Sequence, residues 1–345
     1  MCIRDRYSIT KNFGERWSGF IQNVEFPLKW VFKGIVSRKE INAAEKEFEI
    51  TKLDVIGKIK EGYYRALLRV KDLEYETGNV KLLKDFYEKA KLRYKMGEAP
   101  HIEVLKARVE LAKAEGNQFV AKGELGLAYS NLNTLLNQPQ DTPLKLTDQL
   151  VYREYKLNLS ELKQFAEKNH PLVRSSLYNL ESKKAGKSLA YTNFLPDGYI
   201  GLFRMYFGDS SEGRKWASQI GINFPVFSIL KNFGEVKEAK SAVREAEAKL
   251  KDTKNQVFLA IEKAYKELIA AERQVKIYEG GILAQAEEMY RIANESYTEG
   301  QIGYIELLEA QRTLISTRKE YAFSLYNYQV ALSELIKAVG GKLPE

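Results

Sequence analysis

The chain has 345 residues, of which 44% are hydrophobic and 29% charged, a composition typical of globular or coiled-coil proteins rather than disordered ones. Lysine and arginine outnumber aspartate and glutamate by 54 to 46, but bases alternate with acids along the predicted helix faces, which argues against nucleic-acid binding. One cysteine and two histidines exclude a disulfide framework and a Cys/His zinc site within one chain.

The sequence also lacks the motifs of common catalytic sites. It contains no phosphate-binding loop, no nucleophile elbow and no metal-ligand cluster, so we predict no catalytic residues, no metal site and no cofactor. No run of apolar residues is long enough for a membrane-spanning helix.

Two glycine-containing segments show that the chain is an internal repeat. YKMGEAPHIEVLKARVEL (94–111) aligns with YTEGQIGYIELLEAQRTL (297–314) at an offset of 203 residues, as from Gly97 to Gly300. VEFPL around Pro27 likewise matches INFPV around Pro225. Each copy is predicted to contain a strand segment ending at Phe-Pro, a long helix, a glycine break and a returning helix.

In chain order, residues 1–6 (MCIRDR) resemble a translated sequencing-adaptor sequence and are predicted to be non-native. The first repeat then covers 7–136, with strands at about 7–32 and a helical hairpin at about 37–136. Its strand pair follows fewer residues than that of the second repeat, so about forty residues and any signal peptide are expected to be missing from the front.

A linker at 137–158 precedes the second repeat, which covers 159–340, and 341–345 form a tail. The second repeat opens with a helix in which Asn-His-Pro at His170 marks a turn and a restart, and His101 is similarly predicted at the first glycine break. Its strands are predicted at about 196–228 and its helical hairpin at about 232–338.

The long helix of the second repeat carries two apolar stripes at heptad spacing. One stripe is Val236, Val243, Leu250, Val257 and Ala264, and the other is Ile261, Leu268, Val275, Ile282 and Met289. Two stripes would let the helix contact a neighbour on each side and so close into a ring. A long antiparallel coiled-coil hairpin fits the same pattern, and the pattern alone does not choose between them.

The strand segment WASQIGINFPVF alternates between apolar and small or polar residues, which suits a membrane barrel strand. A strand of a soluble sandwich has the same local pattern. Four strands in one chain cannot close a conducting barrel, so a barrel requires several chains.

In combination, FPVFSILKNFGEVKEAKSAVREAEAKL and YTEGQIGYIELLEAQRTL resemble the TolC-like outer membrane efflux proteins, and the resemblance covers nearly the whole chain after residue 6. It implies a mainly α fold with a small β part, a tandem repeat of a β-strand pair plus a long coiled helical hairpin. It also implies a homotrimer with a 12-stranded outer membrane β-barrel and a periplasmic α-helical barrel. The implied partners are outer membrane lipid, a periplasmic adaptor (membrane fusion) protein and an inner-membrane pump, with no nucleic acid and no catalysis.

The resemblance further implies that the glycine breaks form the periplasmic tip of the tunnel, where Gly97 and Gly300 let each helix reverse. Glu306 and Glu309 fall at the acidic constriction positions of the family and share one helix face. Threefold symmetry would make them two rings of carboxylates that attract cations. The alternative is that the two glutamates are solvated charges on a helix surface, which is the more common environment of a Glu-x-x-Glu pair.

Other tip residues also have two interpretations. Tyr297 matches a gate tyrosine of the family, although a tyrosine there can equally be a packing anchor. Glu103 falls at the acidic position of the first repeat, where a surface role is the alternative. Ile302 stands where some members have arginine, so the closed state is expected to rest on apolar contacts of Ile302 and Tyr304. Lys106 replaces an acid in the first repeat.

The function predicted from the sequence is the outer membrane duct of a tripartite efflux system or of a type I secretion system. The alternative is a soluble coiled-coil scaffold without a channel. Metal-cation, drug and protein-secretion ducts share these motifs, so the sequence leaves the exported substrate open.

Overall fold

The computed structural model describes residues 6–12, 15–207, 214–225 and 228–343. Of the predicted non-native residues 1–6, only Arg6 lies within the described residues. The chain divides into two compact units, which we name the strand unit, Met1–Glu49 with Pro171–Asn255, and the hairpin unit, Ile50–His170 with Gln256–Glu345.

The secondary structure is mainly α-helical with a small sheet, as the sequence predicts. Two pairs of strands are each followed by a run of helices, in the order β1 Arg6–Asn12, β2 Glu15–Val24, α1 Pro27–Lys95, α2 His101–Leu135, α3 Leu159–Asn169, α4 Pro171–Thr192, β3 Asp197–Phe207, β4 Arg214–Asn223, α5 Ile229–Ile277, α6 Leu283–Thr298 and α7 Tyr304–Val339. A five-residue π-helix, Tyr278–Ile282, joins α5 to α6. Among the described residues, no helix combines the length and the hydropathy needed to cross a bilayer.

The strand unit contains one antiparallel sheet in the order β1-β2-β3-β4. Phe20 of β2 lies opposite Leu202 of β3, and Leu202 lies opposite Ser218 of β4. Three large apolar side chains on one face of β4 are exposed: Trp216 by 72%, Ile220 by 82% and Ile222 by 66%. On this face Ile220 lies opposite Ile200 of β3, which is itself 47% exposed.

The predicted boundary between the first strand pair and its helix is wrong. β2 ends at Val24 and α1 begins at Pro27, well before residue 37. Proline suits the first helical position, because its missing N–H would have no intrahelical partner there. The second predicted strand segment, to 228, likewise extends past the end of β4 at Asn223.

A partly buried ion pair fixes the start of α1 against the sheet. The Lys29 ammonium lies 2.7 and 2.8 Å from the two carboxylate oxygens of Asp197, the first residue of β3. The Phe26 amide donates to the same carboxylate at 2.9 Å. Asp197 therefore joins the end of β2 and the start of α1 to β3.

The predicted interruption at Asn-His-Pro is confirmed. Asn158 caps α3 by accepting a hydrogen bond from the Ser160 amide at 2.9 Å. α3 ends at Asn169, His170 has an extended backbone, and α4 begins at Pro171. Proline disfavours helical geometry in the residue before it, which explains the break at His170.

One core cluster of the hairpin unit lies between its long helices near the glycine breaks. Its fully buried residues come from both repeats and include Phe86, Ala90, Ala107, Tyr297 and Leu307. Packing of α1 and α2 against α6 and α7 therefore stabilises the two breaks together.

The linker has no helix or strand and is held by side chains of the hairpin unit. Asn133, which is fully buried, donates to the carbonyls of Gln140 and Thr142 at 3.1 and 2.9 Å. Tyr63 donates to Asp148 at 2.8 Å. These bonds fix the linker along the hairpin.

Candidate functional site at the helix tips

The first glycine break is a tight helix C-cap. Gly97 has φ +79°, in the left-handed region that a side chain disfavours. Its amide donates to the Tyr94 carbonyl at 3.1 Å, and the Glu98 amide donates to the Arg93 carbonyl at 2.9 Å. This pair of bonds is the Schellman motif, which ends α1 at Lys95.

The second break repeats the same geometry. Gly300 has φ +76°, and its amide donates to the Tyr297 carbonyl at 3.1 Å. The Gln301 amide donates to the Ser296 carbonyl at 2.8 Å. The two tips, 94–103 and 297–306, therefore share one backbone design as well as one sequence pattern.

The returning helices end alike as well. α2 is followed by Asn137 with φ +54° and α7 by Gly340 with φ +109°, again at the offset of 203 residues. The Gln138 amide donates to the Asn133 carbonyl at 2.9 Å, and the Gly341 amide donates to the Ile336 carbonyl at 2.8 Å. The backbones of the two helical hairpins thus turn and end at equivalent residues.

Tyr297 and Tyr304 lie in the core of the hairpin unit, with exposures of 1% and 2%. Their ring centroids are 6.5 Å apart, and the Arg93 guanidinium lies 5.0 Å from the centre of the Tyr297 ring. Ile302, half-buried, packs against the same cluster. In a single chain these three residues anchor the second tip to the first.

Polar atoms in this cluster lack partners. The hydroxyls of Tyr297 and Tyr304 and one carboxylate oxygen of Glu103 are buried with no hydrogen-bond partner among the described residues. Burial raises the pKa of Tyr304 to about 12, and burial together with the charge of Glu103 raises the pKa of Tyr297. Both phenols are therefore neutral at physiological pH.

Glu306 and Glu309 are exposed near the start of α7. Glu306 lies in the first turn of the helix, where the helix dipole favours a carboxylate. Glu309 Oε1 is 3.3 Å from the Arg312 guanidinium, which also contacts Glu110 of α2 at 3.0 Å. The carboxylate of Glu309 is therefore partly neutralised, and that of Glu306 lies free of this network.

Sequence reasoning missed Arg312 and Glu110, although Arg312 follows Glu309 at the i, i+3 spacing that brings helical side chains together. Burial alone would raise the pKa of Glu110, but hydrogen bonds from Lys113 and Arg312 hold it below its usual value. Glu110 is consequently a stable anion that fixes the position of Arg312. Among the described residues, no group of three His, Cys, Asp or Glu could hold a metal ion.

Helical hairpins that turn at paired glycine caps, together with a small antiparallel sheet, form the repeat that the sequence resemblance implies. A family profile described as outer membrane efflux protein matches residues 162–341, more than half of the chain. The chain belongs to the outer membrane efflux protein family.

Two curated relatives are similar over most of the chain. The cobalt-zinc-cadmium resistance protein CzcC of Cupriavidus metallidurans is 26% identical over 305 residues, which cover 84% of this chain and 71% of CzcC. Protein CyaE of Bordetella pertussis is 22% identical over 317 residues, covering 88% of this chain and 66% of CyaE.

Solved channels share the fold. The outer-membrane channel OprN superposes with a TM-score of 0.76 at 17% identity, covering 99% of this chain and 81% of OprN. CusC superposes with a TM-score of 0.78 at 18% identity, covering 98% and 82%. These superpositions show the fold. As a member of the outer membrane efflux protein family, the chain is a non-enzymatic outer membrane efflux channel protein, of the tripartite efflux or type I secretion kind, that extends into the periplasm. Membership of this family implies trimerisation and efflux partners in general.

Proposed function

We propose that three copies of this chain form one continuous duct. The repeats 7–136 and 159–340 would contribute four strands per copy to a 12-stranded outer membrane barrel, and their hairpins would form a periplasmic helical barrel. A periplasmic adaptor and an inner-membrane pump would deliver the substrate to it. The observation that carries this proposal is the matched pair of tips, each closed by the same glycine cap.

The exposed apolar residues of the sheet support the barrel. Trp216, Ile220 and Ile222 lie on one face of β4 and are each at least 66% exposed. In water such an exposed apolar face would favour aggregation, whereas in a membrane it would contact lipid. Strand residues between them, such as Gln219, would then face the lumen.

Exposed apolar residues of the helices support association between copies. Phe119 of α2 is 80% exposed and Leu259 of α5 is 70% exposed. Neighbouring copies would cover such side chains, since large exposed apolar surfaces mark interaction sites. Phe119 and Leu259 would then lie at contacts between copies in the ring.

The tips would form the mouth of the duct. Threefold symmetry would repeat Glu306 and Glu309 as two rings of carboxylates, with Gly97 and Gly300 at the turns. The closed state would be stabilised by packing behind the mouth, between the two tips, of Ile302, Tyr304, Tyr297 and Glu103. Arg312 weakens the charge of Glu309, so Glu306 would supply the larger share of the cation attraction.

Planar-bilayer recordings test the mouth. We expect the double variant Glu306→Gln/Glu309→Gln to lose most of its cation preference and to weaken its block by multivalent cations. The matched control is Glu267→Gln, which removes a 54%-exposed carboxylate of α5 far from the tip in sequence. Unchanged selectivity and block in the double variant would reject the carboxylate rings.

A further inference from the structure

The helix that leads to the second tip is interrupted by a π-helix at Tyr278–Ile282. Gly281 has φ +143° and ψ −23°, outside helical geometry, and the Leu283 amide donates to the Tyr278 carbonyl five residues back. A side chain added at Gly280 would meet nothing within 4 Å. The backbone therefore has both the freedom and the space to rotate here.

The interruption changes which residues face the core. Ile261, Leu268 and Val275 of the predicted stripe are buried, but the next two members, Ile282 and Met289, are each 41% exposed. One extra residue in a helical turn rotates the following residues by about 100°. Beyond the π-helix, the core is accordingly contacted by Tyr290 and Tyr297. The sequence-based prediction of one uninterrupted stripe is thus wrong past Val275.

Two reciprocal hydrogen bonds hold the interruption against α7. Tyr278 donates to Glu320 at 3.0 Å, and Tyr321 donates to Glu279 at 2.9 Å. The two tyrosine rings lie side by side, with centroids 6.3 Å apart. Burial and the bond to Glu279 raise the pKa of Tyr321 to about 12, so its phenol remains a donor throughout the neutral range.

The first repeat has no such interruption. At the offset of 203 residues, Gly280 and Gly281 correspond to Thr77 and Gly78, which lie within the unbroken helix α1. Thr77 accepts a hydrogen bond from Gln118 of α2 at 3.0 Å. The leading helix of the first hairpin is thus continuous, whereas that of the second is interrupted between its body and its tip, beside the unbroken helix α7.

We propose that Tyr278–Ile282 is a hinge about which α6 and the second tip swing, and that the Tyr278–Glu320 and Tyr321–Glu279 bonds are the latch that holds the hinge closed. The regulatory part rests on the proposed function, since the swing opens the duct only if the tips form its mouth. The hinge itself is a property of a single chain and can be measured independently of conduction.

Pulsed-EPR distances between spin labels test the hinge. The labels are attached at Lys263→Cys on α5 and Thr298→Cys on α6, in a Cys2→Ser background, with unlabelled protein added in excess to suppress distances between copies. Tyr278→Phe/Tyr321→Phe removes both latch bonds with little change in shape. We expect its distance distribution to be at least twice as wide as that of the unmutated latch.

Two controls separate a hinge from general loosening. A label pair at Lys58→Cys and Lys84→Cys on α1 must keep its width in the double phenylalanine variant. Tyr290→Phe, on α6 beyond the hinge, must leave the α5–α6 distribution unchanged. The hinge would be overturned if the α5–α6 distance distribution of the double variant kept its width, or if the distribution on α1 broadened equally.

The latch is tested by measuring how often channels of the Tyr278→Phe/Tyr321→Phe variant open spontaneously in planar bilayers. Each hydrogen bond is worth roughly a fivefold change in an equilibrium, so we expect the open-to-closed ratio to rise by about 25-fold. Broadened EPR distances with an unchanged ratio would overturn the gating role. A duct that conducts in no variant, despite broadened distances, would contradict the proposed function and leave the hinge standing.

Discussion

At the scale of single residues, the cap at Gly97 depends on a positive φ angle, which residues with a side chain adopt only with strain. Gly97→Ala should destabilise the first tip by about 1 kcal/mol, since φ +79° disfavours a Cβ even where the surroundings are open. Gly116→Ala is the matched control, because Gly116 lies inside α2 with equal space around it. There the same change should stabilise the helix by up to about 1 kcal/mol. Thermal unfolding followed by helical circular dichroism distinguishes them, and equal shifts would contradict the strained cap.

Tyr304 gives the hairpin unit a dependence on alkaline pH. Its folded pKa of about 12 exceeds the value of about 10 in an unfolded chain, so the folded state holds the phenolic proton more tightly. The resulting stability is fully present below pH 10 and is lost as the pH rises from 10 through 12. Tyr304→Phe should remove the part of the alkaline loss of folding stability that comes from ionisation of this phenol.

At pH 7 the same variant should be as stable as the parent or more stable, because the buried hydroxyl has no partner among the described residues. Tyr94→Phe, at a 46%-exposed position, serves as the control. Melting temperatures at pH 7 and pH 11 provide the comparison. A Tyr304→Phe variant that loses as much stability as the parent between these pH values would refute the assignment.

At the scale of elements, the Lys29–Asp197 pair joins α1 to β3. Asp197→Asn would leave the Lys29 ammonium, whose side chain is 9% exposed, without a counter-ion. Because Asp197 is itself 35% exposed, we expect a loss of about 1–3 kcal/mol, below that of a fully buried pair. Glu25→Gln is the control, because its partner Lys33 is 50% exposed and such surface pairs contribute about 0–1 kcal/mol. Comparable losses of thermal stability in the two variants would contradict this role of Asp197.

The elements also show which parts of the secondary structure can be predicted from the sequence. The tip turns followed from Gly97 and Gly300, because glycine caps are local, and the break at His170 followed from Pro171. The start of α1 was misjudged because aromatic residues up to Phe32 resemble a strand, whereas Pro27 suits a first helical turn. The π-helix at Tyr278–Ile282 was missed because a Gly-Gly pair inside an apolar heptad pattern is compatible with an unbroken helix.

The tip illustrates a second limit. The family resemblance proposed Glu306 and Glu309 as mouth residues, but it did not predict the ion pair that distinguishes them. That difference depends on Arg312 meeting Glu110, which lies on another helix about two hundred residues earlier in the chain. Contacts of this kind arise from packing of the hairpins and leave no signal in a single sequence. Tyr297 was likewise given two alternative roles, because a single sequence does not show which tyrosines are buried.

At the scale of the whole molecule, each unit has surfaces that a lone chain does not cover. The apolar face of β4 in the strand unit and the exposed residues Phe119 and Leu259 in the hairpin unit are examples. Family membership assigns the chain to outer membrane efflux channels, and a threefold duct would give both kinds of surface a partner. Monomers of this chain should consequently aggregate in the absence of lipid or detergent.

The most direct test of the threefold duct combines mass and conduction on one preparation. The full chain is purified in detergent, its assembly mass is measured by native mass spectrometry, and the same sample is inserted into planar bilayers. We predict a mass of three copies and discrete cation-preferring currents. A monomeric mass together with the absence of any channel current would contradict the duct.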